Sequence, residues 1–320
     1  MAMDFWEAQR RARKKTGLYV TIFVLLTVMT AVICEYALRY FAQDNYNPEF
    51  PYFGAFFLAI TFTVAGFQYL MFRTNGGRYV AESVGAWEVD PRTTHPKERQ
   101  LLNIVEEVAV ASSLPVPPVF ILDAKEINAF AAGLSTKDAA VTVTTGSLYL
   151  LNREELQGVI AHEFGHIHNG DMVISMRLAA MVMGFFFVLY LGMRMLQFAG
   201  YSRRNEGDDR RGGNPVILGA FLLMIAGAFT WLMGQILKSA VSREREYLAD
   251  ACAVQFTRNP DGIANALRKI ARESVHDMPK DGGAYSHMYL EDTTAFSQIF
   301  ATHPPIEKRI AAIEGREYIP

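Results

Sequence analysis

The chain has 320 residues, of which 51% are hydrophobic and 20% charged, with 31 Lys and Arg against 33 Asp and Glu. A formal net charge of -2 gives no general attraction to nucleic acid, and two distant cysteines, Cys34 and Cys252, exclude a disulfide framework or a CxxC pair. The apolar residues are concentrated in four long blocks, which argues against a purely soluble protein.

Residues 1–16 form a basic N-terminus carrying Arg10, Arg11, Arg13, Lys14 and Lys15. The first block, Gly17 to Cys34, and the second, Phe50 to Phe72, contain no formal charge. About 20 apolar residues match a hydrocarbon core of about 30 Å, so 17–72 reads as a transmembrane hairpin. A cleaved signal peptide is the alternative for the first block. Its length and the lack of a small-residue cleavage site between Thr30 and Arg39 favour a retained anchor.

Residues 73–171 have globular composition. Leu101, Ile104, Val105 and Val108 recur at helical spacing within Pro96–Leu114, and Pro115–Pro118 then breaks the chain. Three runs, 119–122, 127–131 and 140–144, have strand character and predict a small sheet. Asn152 with Glu155 three positions on is a capping box, opening a helix through Leu156, Val159 and Ile160 to Ile167.

The third block, Met172 to Met193, carries Arg177 near its start, and the fourth, Gly212 to Leu237, carries no charge. They form a second hairpin, 172–238, around the polar turn YSRRNEGDDRR; a buried hairpin in a soluble core is the alternative. Residues 239–320 then supply a helix over Ser239–Thr257, another from Asn259-Pro260, a polar loop over 272–297, and a last helix after Pro304-Pro305. The hairpin thus splits one globular domain into two sequence halves.

Basic residues concentrate on the cytoplasmic side of membrane proteins. The N-terminal cluster, with no basic residue between Tyr40 and Phe50 beyond the first block, puts residues 73–171 in the cytoplasm. Arg194, Arg203, Arg204, Arg210 and Arg211 run against this orientation, which places their loop outside.

His162-Glu163-Phe164-Gly165-His166 reads H-E-x-x-H on the capped helix. Residues four apart share a helix face, so both imidazoles reach one metal ion while Glu163 addresses the attacking water. Zn²⁺ with three protein ligands is the catalytic arrangement. The third ligand is sought among Glu244, Glu246 and Asp250. Glu246 and Asp250, four apart, face the same way: one carboxylate suits the metal, and the other holds a ligand histidine in its tautomer. Glu244 points elsewhere. The alternative pairs all three acids with Arg243 and Arg245 on a solvated face.

HEFGH preceded by TTGSLYLLNREELQGVIA, REYLAD after an apolar hairpin, and HPPIEKRI near the C-terminus resemble the HtpX family of membrane-bound zinc endopeptidases, relatives of the CAAX prenyl proteases. The resemblance covers nearly the whole chain. It implies a mainly α fold with a small sheet, about four transmembrane helices, and a cytoplasmic α+β gluzincin-type domain. It further implies one Zn²⁺ per chain held by His162, His166 and Glu246, with Glu163 as general base and Asp250 beside a ligand histidine. His303 matches the family histidine of the HPxxxxRI motif and is the candidate donor to the tetrahedral oxyanion; an ordinary residue before a helix is the alternative. Arg309, further along, orients acids near the site.

A peptide is expected to add as a strand along Asn128, Ala129 and Phe130, using backbone hydrogen bonds that tolerate many sequences. His168 reads as structural, and His95, His276 and His287 as solvated. The partners expected are polypeptides, above all membrane proteins, and the lipid bilayer of a bacterial inner membrane, in stress-related quality control. Two other readings share the motif. Cleavage of prenylated C-termini would ordinarily need a chamber of more than four spans, and a membrane scaffold would keep zinc for structure alone.

Overall fold

The computed structural model describes residues 5–42, 45–202, 215–273 and 304–315. Among these are nine helices and one sheet. In chain order they are α1 (Phe5–Ala42), α2 (Tyr52–Ser83), β1 (Trp87–Glu88), α3 (Pro96–Ser112), β2 (Val119–Leu122), β3 (Ala129–Ala132), β4 (Ala140–Thr144) and α4 (Thr145–Leu150). There follow α5 (Arg153–Asn169), α6 (Asp171–Ser202), α7 (Pro215–Thr257), α8 (Pro260–Glu273) and α9 (Ile306–Ile313). Two compact units emerge, Met1–Tyr69 with Leu178–Leu237, and Leu70–Arg177 with Lys238–Pro320.

The first unit is helical and apolar. Thr21–Ala42, Tyr52–Ser83, Asp171–Phe198 and Val216–Ile236 are each long and apolar enough to cross a membrane. The chain is therefore mainly α with a small sheet, and it is a multi-pass membrane protein. Leu25, Phe67 and Phe221 point outward and exposed, as side chains facing lipid do. Two helix contacts close at glycines: a Cβ on Gly192 would lie 2.6 Å from the backbone nitrogen of Met224, and one on Gly184 2.6 Å from the carbonyl of Thr61. Thr27, Thr61 and Thr230 donate their hydroxyls to carbonyls four residues back, which pairs these three hydroxyl protons within their own helices.

In the second unit the strand order is β1-β2-β4-β3. β1 and β3 run antiparallel to their neighbours, while β2 and β4 are parallel. Val119, Ile121, Ala129, Ala131, Val141 and Val143 share a core with Leu101, Ile104 and Val105 of α3 and with Leu156, Val159 and Ile160 of α5. The other sheet face, with Phe120, Phe130 and Thr142, is buried too, and Arg78 of α2 lies over the Phe120 ring. Burial on both faces explains why these strands read as continuous apolar runs.

α5 is the central helix of this unit. The Asn152 side chain accepts the Glu155 amide at 2.9 Å, and the Glu155 carboxylate accepts the Asn152 amide at 2.8 Å, the reciprocal capping box expected from the sequence. α5 packs on α3, α8 and β3, so it is buried nearly all round rather than on one stripe. Gly170 ends it in the left-handed region at φ 73°, donating to the carbonyls of His166 and Ile167.

Four elements depart from expectation. Residues 239–257 form no separate helix but continue the fourth apolar block as α7, because no Gly or Pro interrupts residues 235–257. The second strand begins at Ala129 rather than Ile127. β1 and α4 are additional, and both are too short to show a period. Residues 203–211 of the expected polar turn, His276, His287, His303 and nearly all of the expected 272–297 loop lie outside the described residues.

Candidate active site

His162 and His166 stand one turn apart on α5, with ring centroids 4.8 Å apart. Glu246 comes to them from α7. Its Oε2 lies 3.5 Å from His162 Nε2, and its Oε1 lies 3.5 Å from His166 Nε2. Donors held by a tetrahedral zinc at about 2.0–2.2 Å are about 3.3–3.6 Å apart, so these separations match ligands around an ion. All three groups offer donor atoms within 4.8 Å of one another. Two imidazoles and one carboxylate also form the donor set of catalytic zinc sites. The residues present therefore fit the ion.

Glu163 is buried beside His162 on the same helix. α7 approaches α5 closely at Gly165, where a Cβ would lie 3.0 Å from Ala249 Cα, Ala249 O and Cys252 Cβ. A larger residue at this motif position would push α7, and Glu246 with it, away from the histidines.

Asp250, one turn beyond Glu246, accepts from His162 Nδ1 at 2.9 Å. Arg309 of α9, fully buried, grips Asp250 with two hydrogen bonds, Nε to Oδ2 at 2.8 Å and Nη2 to Oδ1 at 2.7 Å. Its Nη1 lies 3.3 Å from Glu246 Oε2. Burial opposes charge on Asp250, but Arg309 and the His162 hydrogen bond outweigh it and hold the carboxyl down at about 2. Burial likewise opposes protonation of both histidines. Hydrogen bonds donated to Asp250 and Glu246 nevertheless raise His162, and those donated to Asp171 and Glu246 raise His166 well above its ordinary value. Glu246 and Asp250 are thus buried against the histidines and Arg309, not spread on a solvated face.

One contact was not anticipated from the sequence: His166 Nδ1 lies 3.4 Å from Asp171 Oδ2, whose Oδ1 lies 3.4 Å from Arg245 Nε. Its only sequence signal is an acid directly after the Gly that ends α5. His168 is exposed, with its ring 5.8 Å from that of Phe256, and His95 is exposed as well.

Among the described residues β3 is one of the two outer strands of the sheet, the other being β1, and it contacts α5. The Thr144 amide donates to the Asn128 carbonyl at 3.0 Å. Antiparallel pairs alternate, so Phe130/Thr142 and Ala132/Ala140 also bond each other. The N–H and C=O of Ala129 and Ala131 then face the free side. Phe130 turns its backbone groups to β4 instead. The Ala129 amide is already bonded to Asn128 Oδ1 at 2.9 Å.

The model for peptidase family M48 matches residues 95–317. A Protease HtpX homolog of Caldanaerobacter subterraneus subsp. tengcongensis is 36% identical over 313 residues, 97% of each chain. One from Streptococcus uberis is 33% identical, over 96% of this chain and 98% of its own, and one from Thermoanaerobacter pseudethanolicus is 36% identical over 97% of each. The crystal structure of S. mikatae Ste24p aligns with 98% of this chain and 67% of its own at 17% identity and TM-score 0.41. With the family match spanning most of the chain and full-length relatives at a third identity or more, this multi-pass membrane protein belongs to peptidase family M48 and is a metalloprotease of the HtpX kind.

Proposed function

We propose that the chain is a zinc endopeptidase that cleaves unfolded membrane proteins in quality control, working on the cytoplasmic side of a bacterial inner membrane. The observation that carries this reading is the convergence of His162 Nε2, His166 Nε2 and both Glu246 oxygens at 3.5 Å, with Glu163 on the same buried helix. Zinc bound by these three residues would supply a Lewis acid that polarises the scissile carbonyl and lowers the pKa of water.

The chain's own residues do the rest. Glu163 takes the proton of the attacking water and returns it to the leaving amine. Asp250 keeps the proton of His162 on Nδ1, leaving Nε2 free to bind, and Arg309 holds Asp250 in place. His303 is assigned, from the family motif alone, as donor to the oxyanion that forms on the substrate carbonyl.

The substrate is held along β3 by the backbone groups of Ala129 and Ala131, with Asn128 Oδ1 giving up the Ala129 amide on binding. Ala131→Pro removes an N–H that β4 does not use, as proline at a strand edge can. It is expected to raise KM about 5-fold, the worth of one hydrogen bond of about 1 kcal/mol, with kcat little changed. Steady-state hydrolysis of an unstructured peptide reads this out, and an unaltered KM would place the substrate elsewhere.

Sealed membrane vesicles test the sidedness. Inside-out vesicles carrying the protein are expected to hydrolyse an added peptide, while right-side-out vesicles are not. Hydrolysis confined to right-side-out vesicles would overturn the cytoplasmic assignment.

A further inference from the structure

The geometry points to Asp171 as the positioning residue of His166, anchored in turn by Arg245, so that each ligand histidine has its own carboxylate and its own arginine. The inference rests on the zinc reading above. For both rings to present Nε2 to one ion, each must carry its proton on Nδ1, and a carboxylate at Nδ1 selects that tautomer and orients the ring. His162 has Asp250 at 2.9 Å, backed by Arg309. His166 Nδ1 has Asp171 Oδ2 at 3.4 Å, and Asp171 Oδ1 has Arg245 Nε at 3.4 Å.

The two series come from different elements. Asp250 and Arg245 lie on α7, Arg309 on α9, and Asp171 at the first position of α6. The left-handed Gly170 reverses the chain between α5 and α6, which returns Asp171 to a ring five residues earlier.

Neither helix electrostatics nor ion pairing accounts for this placement. An acid in the first turn serves the helix dipole equally well when exposed, yet Asp171 and Arg245 are both buried. Desolvating such a pair costs at least as much as the attraction returns. Arg245 also directly precedes Glu246 on α7, so the same turn of α7 fixes the third ligand and the anchor of the second.

The test uses the full chain in detergent, with zinc affinity measured by competition against a chromogenic chelator. Wild type must bind zinc for the underlying reading to stand; if it binds none, that reading fails rather than this inference. Asp171→Ala is expected to weaken zinc binding 10–100-fold. Asp171→Asn keeps an acceptor but loses the charge, and should fall between. Arg245→Ala shifts affinity in the same direction, and Asp171→Ala combined with Arg245→Ala is no weaker than Asp171→Ala alone, because the two act in series. The visible d–d bands of the cobalt-loaded protein should change with Asp171→Ala. A purely structural Asp171 would lower the melting temperature equally with and without metal while leaving affinity and cobalt spectrum at wild-type values, and that result overturns the inference. Should Asp171→Ala fail to fold, wild-type affinity in both Asp171→Asn and Arg245→Ala overturns it.

Discussion

Glu163→Gln is expected to reduce peptide hydrolysis by about 10²–10⁴-fold, the usual worth of a positioned general base, while zinc content stays at that of the wild type. Glu163 is buried on the central helix, and Gln matches its shape, so capping, packing and the three donor groups are undisturbed. What is lost is the carboxylate that takes the proton of the attacking water. By contrast, His162→Ala or Glu246→Ala removes one of the three converging donors and should lose zinc and activity together. Metal analysis and casein cleavage, on protein purified under chelation to limit self-digestion, separate the two outcomes. Full cleavage by the Gln variant would favour a scaffold that holds zinc for structure, and full zinc occupancy without His162 or Glu246 would refute the ligand assignment.

The parts of this site that the sequence makes legible are those carried by spacing within one helix. Asn152 and Glu155 announce the start of α5, and the four-residue step from His162 to His166 puts both rings on one side. The same step links Glu246 to Asp250 on α7. Nothing in that periodicity says that α7 meets α5, and without the resemblance Glu246 is one of several acids beside arginines. The meeting depends on Gly165, whose missing side chain lets the two backbones approach. Asp171 escapes because it lies beyond the helix end, where its direction is set by the φ of Gly170 and not by any repeat. The outward backbone of Ala131 escapes for a similar reason: residue type names a strand, while the hydrogen-bond phase of its pairing decides which amides are free. The length of α7 is hidden by a change of solvent. Its residues pass from lipid-type to water-type at Lys238 without a breaking residue, so composition suggests two elements where the backbone forms one.

Arg309→Met should be the most damaging substitution outside the metal ligands. The methionine fills similar space, but the change leaves Asp250 buried without the guanidinium that grips both its oxygens, and Glu246 without the Nη1 contact at 3.3 Å. Removing one partner of a buried ion pair costs about 3–5 kcal/mol. Arg309→Lys is no rescue, since a single ammonium cannot reproduce the two-point grip. The pH dependence distinguishes this cause from lost packing. Asp250 has a folded-state pKa of about 2, below the about 3.9 of an unfolded chain, so its contribution is full above about pH 4 and is lost as pH falls toward 2. Without Arg309 the largest cause of that depression is gone, and burial, opposed only by His162, pushes the Asp250 pKa upward. The stability gap between wild type and Arg309→Met, measured by thermal unfolding of chelated protein, is therefore widest near pH 7 and narrows on acidification toward pH 4. A gap that stays constant over that range would assign Arg309 to packing and remove it from the electrostatic support of His162.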